Sequence, residues 1–155
     1  MNQPTTRQSS EPSEPAANLA TAAPAADRPL IGAIEAGGTK MVLACGYADG
    51  TITERASIPT QDPAQTVPAM IEWFANKGIA ALGIAAFGPT GVNPSSSTYG
   101  HILQTPKLAW RNYDFLGAMS RGLNVLCGYD TDVNGACLGE VMYGAAKGLD
   151  SAMYI

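Results

Sequence analysis

From Leu30 onward, apolar and polar positions change period in an orderly way. Leu30 to Ile34 is a short apolar run that reads as a buried strand. Gly37-Gly38 interrupts it, and Met41 to Cys45 resumes it. Ala48-Asp49-Gly50 supplies a tight turn, since Asp-Gly between strand-prone runs favours a hairpin. Thr51 to Ile58 follows, so the chain opens with three antiparallel strands. Asp62-Pro63 then offers a helix cap and a first-turn proline, with Val67, Ile71 and Phe74 at helical spacing and Gly78 at the close. Pro68 delays the regular helix to about Thr66, because an interior proline removes a ladder hydrogen bond. Ile79 to Phe87 is continuously apolar, the mark of a strand covered on both faces. Beyond Gly88-Pro89-Thr90-Gly91 and the polar loop Asn93–Gly100, helices are predicted over Tyr113–Gly122 and Val133–Ala146. Strands are predicted over Asn124–Tyr129 and Ser151–Ile155. The order β-β-β-α-β-α-β-α-β makes an α/β fold: a mixed sheet with helices on both faces.

Residues 1–29 are Ala, Pro, Ser and Thr with almost no large apolar side chain, too little to offset chain entropy. They read as a disordered leader. Within the remaining chain, a last strand that runs to Ile155 suggests part of a longer protein. The 155 residues carry 14% charged side chains, a net charge of −4 and one histidine, which argues against nucleic-acid binding by charge. No apolar run approaches the ~18 residues that a spanning helix needs. Cys45, Cys127 and Cys137 form no Cys-x-x-Cys pair, so they read as free thiols in a reducing compartment.

Three groups of residues can carry chemistry. In Glu35-Ala36-Gly37-Gly38-Thr39-Lys40, adjacent glycines let amides approach phosphate oxygens. Thr39 adds a hydroxyl there and Lys40 a charge, while Glu35 can hold a hydrated divalent cation. A plain hairpin turn would use Gly-Gly equally well. The stretch is neither a P-loop nor a dinucleotide fingerprint, since both spacings are absent. Asp130-Thr131-Asp132-Val133-Asn134 follows a strand and opens a helix. A carboxylate there stands where α/β folds place ligands, although helix capping would also use an aspartate. In phosphoryl transfer such a base accepts the proton of the attacking hydroxyl. The third group, Phe87-Gly88-Pro89, Thr98-Tyr99-Gly100 and Thr105-Pro106-Lys107 with Trp110, gathers hydroxyl-matching groups beside an aromatic platform, as a sugar site needs. An ordinary surface loop with Trp110 covering the core fits these residues too. His101 stands alone, without a second metal ligand nearby.

Together these motifs resemble the ROK family of sugar kinases, within the actin-like ATPase (ribonuclease H-like) superfamily, and most closely its fructokinase branch. The residues that carry the likeness are Gly32 to Lys40, Phe87-Gly88-Pro89, Thr98-Tyr99-Gly100, Thr105-Pro106-Lys107 with Trp110, Thr131 to Asn134 through Leu138-Gly139-Glu140, and Gly144 to Tyr154. Glu35 stands where many ROK proteins have Asp, and Glu is frequent in the fructokinase branch. Gly135 and Cys137 stand where alanines are common, a change that threatens nothing obvious in the sequence.

The resemblance implies that residues 30–155 form the N-terminal lobe of a two-lobed kinase, with the family's second phosphate loop lying further on. It implies ATP with Mg2+ as cofactor, with Glu35, Gly37, Gly38, Thr39 and Lys40 at the phosphates. Asp132 would be the base for the hexose 6-hydroxyl, and Gly88, Pro89, Thr105 and Asn134 would line the sugar pocket. No metal site is expected within these residues; zinc belongs to the family's later Cys/His cluster. The implied activity is phosphorylation of fructose to fructose 6-phosphate in a cytoplasmic homodimer, the 155 residues alone being inactive. A ROK kinase for glucose or mannose and a non-catalytic sugar-sensing protein are the alternatives. A DNA-binding regulator would need a winged helix, which Met1–Pro29 does not supply.

Overall fold

The structure is a computed structural model that describes residues 28–155. The expected leader lies outside the described residues except for Arg28 and Pro29. Arg28 pairs with Asp49 at 2.5 Å and lies over the Tyr47 ring.

Five strands form one mixed sheet in the order β3-β2-β1-β4-β7. Strands β1 (Ile31–Ala36), β2 (Lys40–Gly46) and β3 (Ile52–Pro59) run antiparallel, as the two turn signals predict. Strand β4 (Ala81–Ala86) lies parallel to β1, and β7 (Leu126–Thr131) lies parallel to β4. The register pairs Ala36 with Ala86 and Ala86 with Thr131. The carboxyl ends of β1, β4 and β7 therefore meet at one edge.

One sheet face is closed. Ile34, Ala36, Met41, Leu43, Leu82 and Ile84 are buried there with Met70 and Phe74 of α1 (Pro63–Phe74) and Phe115 and Met119 of α2 (Phe115–Leu123). The opposite face is built of small residues, Ala33, Ala44, Gly83, Ala85 and Gly128, and carries α3 (Asp132–Tyr143). Helix α3 buries no residue, which leaves Leu138 and Met142 exposed. A carbon placed on Gly135 would lie 2.6 Å from the Ala85 Cβ. Gly135, which has no side chain, thus lets the helix approach β4 at Ala85.

The structure differs from the sequence reading in α1, in α3, at Ser151–Ile155 and in a small second sheet. Helix α1 begins at Pro63, not Thr66. The Asp62 carbonyl collects the amides of Gln65 and Thr66, while the Thr66 hydroxyl accepts from Gln61 N–H, so the first turn closes ahead of Pro68. The Asp62 side chain makes no capping bond. Helix α3 stops at Tyr143 because Gly144 leaves helical geometry. Ser151–Ile155 is not a strand: the segment is irregular and exposed, and no neighbouring strand offers it a ladder. Finally, His101–Ile102 (β5) and Tyr113–Asp114 (β6) pair into a small second sheet, with a 3₁₀ turn at Leu108–Trp110 between them.

Candidate active site

The candidate residues gather at the carboxyl edge of β1, β4 and β7, where open α/β sheets place ligands. Glu35 is the next-to-last residue of β1, exposed on the α3 face. The turn Gly37–Lys40 follows. Gly37 N–H bonds the Lys40 carbonyl at 3.0 Å, and the Gly37 carbonyl accepts from the Thr60 hydroxyl at 2.8 Å. Thr39 C=O accepts from Thr60 N–H at 2.9 Å. Among the described residues, the amides of Gly38 and Thr39 have no protein acceptor, and both residues are exposed. A rigid turn with spare N–H groups beside Lys40 is a surface that can receive anionic oxygens.

Asp132 is the first residue of α3. The cap of that helix is Thr131, whose hydroxyl accepts from Asn134 N–H at 3.1 Å. Thr131, and not Asp132, is therefore the residue that caps α3. Asp132 Oδ1 accepts from Val133 N–H at 2.9 Å, and Oδ2 has no partner among the described residues. Glu35 and Asp132 line one cleft of about 580 Å³ with Ala85, Gly135 and Tyr154. Asn134 stands beside them, its amide donating to Asp130 Oδ1 at 2.8 Å.

The Gly88–Pro89 peptide is cis and leaves β4 next to Thr131. Its loop is fixed from below. Pro89 C=O accepts from Leu103 N–H at 2.8 Å, and the Thr90 hydroxyl donates to the His101 carbonyl at 2.8 Å. With its proton so engaged, Thr90 Oγ1 accepts from the Tyr129 hydroxyl at 2.5 Å. Burial of Tyr129 pushes its phenol up to about 12. Thr90 and Tyr129 are site-supporting residues that sequence reading missed, because their partnership spans 39 positions and no motif joins them.

Thr105 is placed differently from its companions. It is 2% exposed and does not line the cleft of Glu35 and Asp132. Its hydroxyl accepts from Lys107 N–H at 3.4 Å, and its carbonyl accepts from Arg111 Nε at 2.7 Å. Trp110 is 1% exposed, packs edge-on against Phe87, Tyr113 and Phe115, and donates Nε1–H to the Gln61 carbonyl at 2.8 Å. It is a core residue, so no exposed aromatic platform is formed by it.

Among the described residues no three of His, Cys, Asp and Glu come together to hold a metal, and no helix is long and apolar enough to cross a membrane.

The fold is a mixed sheet with helices on both faces, with the glycine turn and the helix-initial aspartate at one edge. The chain belongs to the ROK family, whose model matches residues 31–155. Among curated relatives, the fructokinase of Pediococcus pentosaceus is 45% identical over 126 residues, covering 81% of this chain and 44% of the relative. The fructokinase of Lactococcus lactis subsp. cremoris is 37% identical over 118 residues, covering 76% and 41%. The chain spans less than half the length of these relatives. In fold it is similar to the crystal structure of a ROK family glucokinase from Streptomyces griseus in complex with glucose and AMPPNP. That likeness has a TM-score of 0.66 and 23% identity, covering 77% of this chain and 38% of that one.

Proposed function

We propose that this chain supplies the N-terminal lobe, residues 30–155, of a kinase that transfers the γ-phosphoryl group of ATP to the 6-hydroxyl of fructose. The observation that carries the reading is the shared cleft of Glu35 and Asp132, with Thr131 doing the capping and one Asp132 oxygen left spare. The names of two relatives at 45% and 37% identity supply the substrate.

In this reading the hydroxyl of the sugar lies against Asp132. The carboxylate takes its proton as the oxygen attacks in line, and the nucleotide diphosphate leaves. The Gly38 and Thr39 amides, the Thr39 hydroxyl and Lys40 hold phosphate oxygens in place. Gly88 and Pro89 form one wall of the sugar pocket, held by the Tyr129–Thr90–His101 chain of hydrogen bonds. Asn134 offers its free amide oxygen beside Asp132. Thr105 contributes through Lys107. The donor set fits Mg2+ arriving with its phosphates: Glu35 is a single exposed carboxylate beside the turn, whereas an all-protein cage would need several. When bound, that ion would neutralise charge on the phosphates. Cytoplasmic location and a homodimeric complete protein belong to the same proposal.

The test is a chimera in which residues 30–155 replace the matching 44% of the Pediococcus pentosaceus fructokinase. ATP-dependent phosphorylation of fructose ahead of glucose and mannose supports the reading. Preference for glucose or mannose would make it a kinase of another hexose. Sugar binding without turnover would make it a sensor.

A further inference from the structure

Lys107 entered the sequence reading as part of a sugar loop. The structure puts it elsewhere. A carbon placed on Gly38 would lie 3.6 Å from Lys107 Cε, so the lysine stem runs against the glycine turn. This approach is built into the fold. Thr60 grips the turn through its hydroxyl on Gly37 C=O and its amide on Thr39 C=O. The next residue, Gln61, accepts the Trp110 indole N–H at 2.8 Å. Trp110 N–H in turn bonds the Lys107 carbonyl at 2.9 Å, and Lys107 N–H rests on the buried Thr105. Two consecutive residues thus bracket the turn to the segment that carries the lysine.

The charges agree with this placement. Neither Lys40 nor Lys107 forms an ion pair among the described residues, although the Asp62 carboxylate shares a hollow of about 250 Å³ with Lys107. Lys40 ends the turn and the Lys107 stem runs against it, while the Gly38 and Thr39 amides lack acceptors among the described residues. Two lysines and two spare amides at the turn raise the local positive potential, with Glu35 and Asp62 the carboxylates nearby.

We infer that Lys107 is a second cation for the phosphate turn, contacting the terminal phosphoryl oxygens of the nucleotide rather than the sugar ring. The inference rests on the proposed reading of Gly37–Lys40 as that turn. The shared chemistry is a phosphate oxyanion, which the nucleotide or a sugar phosphate can supply.

The experiment is a ¹⁵N–¹H NMR titration of the 155-residue chain at constant ionic strength, with inorganic tripolyphosphate in one arm and fructose 6-phosphate in the other. Tripolyphosphate is expected to shift the Gly37, Gly38 and Thr39 amides. Lys107→Gln is expected to weaken this binding about tenfold and Lys107→Arg by much less, with amide positions elsewhere and the melting temperature unchanged. Wild-type affinity in Lys107→Gln, beside a loss in Lys40→Gln, would overturn the inference and leave the phosphate turn standing. A Lys107 dependence seen only with fructose 6-phosphate would overturn the assignment to the nucleotide. Turn amides that respond to neither probe in the wild type would overturn both the inference and the reading beneath it.

Discussion

The seat of α3 on the sheet decides where Asp132 stands, and Gly135 decides the seat. Replacing Gly135 by valine puts a Cβ 2.6 Å from the Ala85 Cβ. Ordinary carbon contacts lie near 3.5–4.0 Å, so the N-terminal half of α3 must lift by about 1 Å. Two effects then oppose each other. Removing a helical glycine contributes roughly 0.5 kcal/mol, less than the gain for alanine because valine is β-branched. Overpacking costs roughly 1–3 kcal/mol, and the two valine methyls place it in the upper half. The net expectation for Gly135→Val is a loss of about 2 kcal/mol. For Gly135→Ala the terms offset to within about 0.5 kcal/mol. Urea unfolding followed by far-UV circular dichroism measures both variants. A Gly135→Val protein as stable as the wild type would refute the contact between α3 and β4.

Trp110→Phe removes the Nε1 bond to Gln61 and leaves space among Phe87, Tyr113 and Phe115; urea unfolding should show a loss of about 2 kcal/mol. A loss under about 0.5 kcal/mol would mean that the bracket to Lys107 is slack. Tyr129 keeps its proton in the folded chain up to about 12, whereas the unfolded phenol loses it near 10. Folded protein therefore holds more protons across that window, and stability falls as pH rises through it. The wild type should lose roughly 2–3 kcal/mol that Tyr129→Phe does not, measured as melting temperature against pH. Equal pH slopes would contradict the burial of that hydroxyl. The 155-residue chain alone should form no fructose 6-phosphate from Mg-ATP above an Asp132→Asn blank, because phosphoryl transfer needs charge stabilisation from more than one side. Clear turnover in a coupled assay would show that this lobe suffices.

The parts of the fold legible in the sequence are those whose signals are local. Gly37-Gly38 and Asp49-Gly50 mark the hairpins, and the unbroken run Ile79–Phe87 marks the central parallel strand. Pro68 misled the reading of α1, since helix start is fixed by bonds of Asp62 and Thr66 that leave no hydrophobic period. Strands β5 and β6, two residues each, are too short for any periodicity. Ser151–Ile155 has the apolar content of a strand, but a strand exists only beside a partner. At the candidate site, the placement of Glu35, the glycine turn and Asp132 is legible because strand ends and helix starts carry their own residue types. Whether Trp110 faces ligand or core, and where Lys107 rests, depend on contacts across tens of residues.

The central claim is that Asp132 takes the proton of the sugar hydroxyl. The most direct measurement is kcat and the fructose KM of the chimera carrying Asp132→Asn. The asparagine oxygen can still accept from Val133 N–H, as Asp132 Oδ1 does at 2.9 Å, and Thr131 still caps the helix, so geometry is kept while the base is lost. The account predicts a fall in kcat of about 10²-fold or more, with KM changed by no more than about threefold. A variant that keeps near-full kcat would contradict it and leave Asp132 as a structural residue at the start of α3.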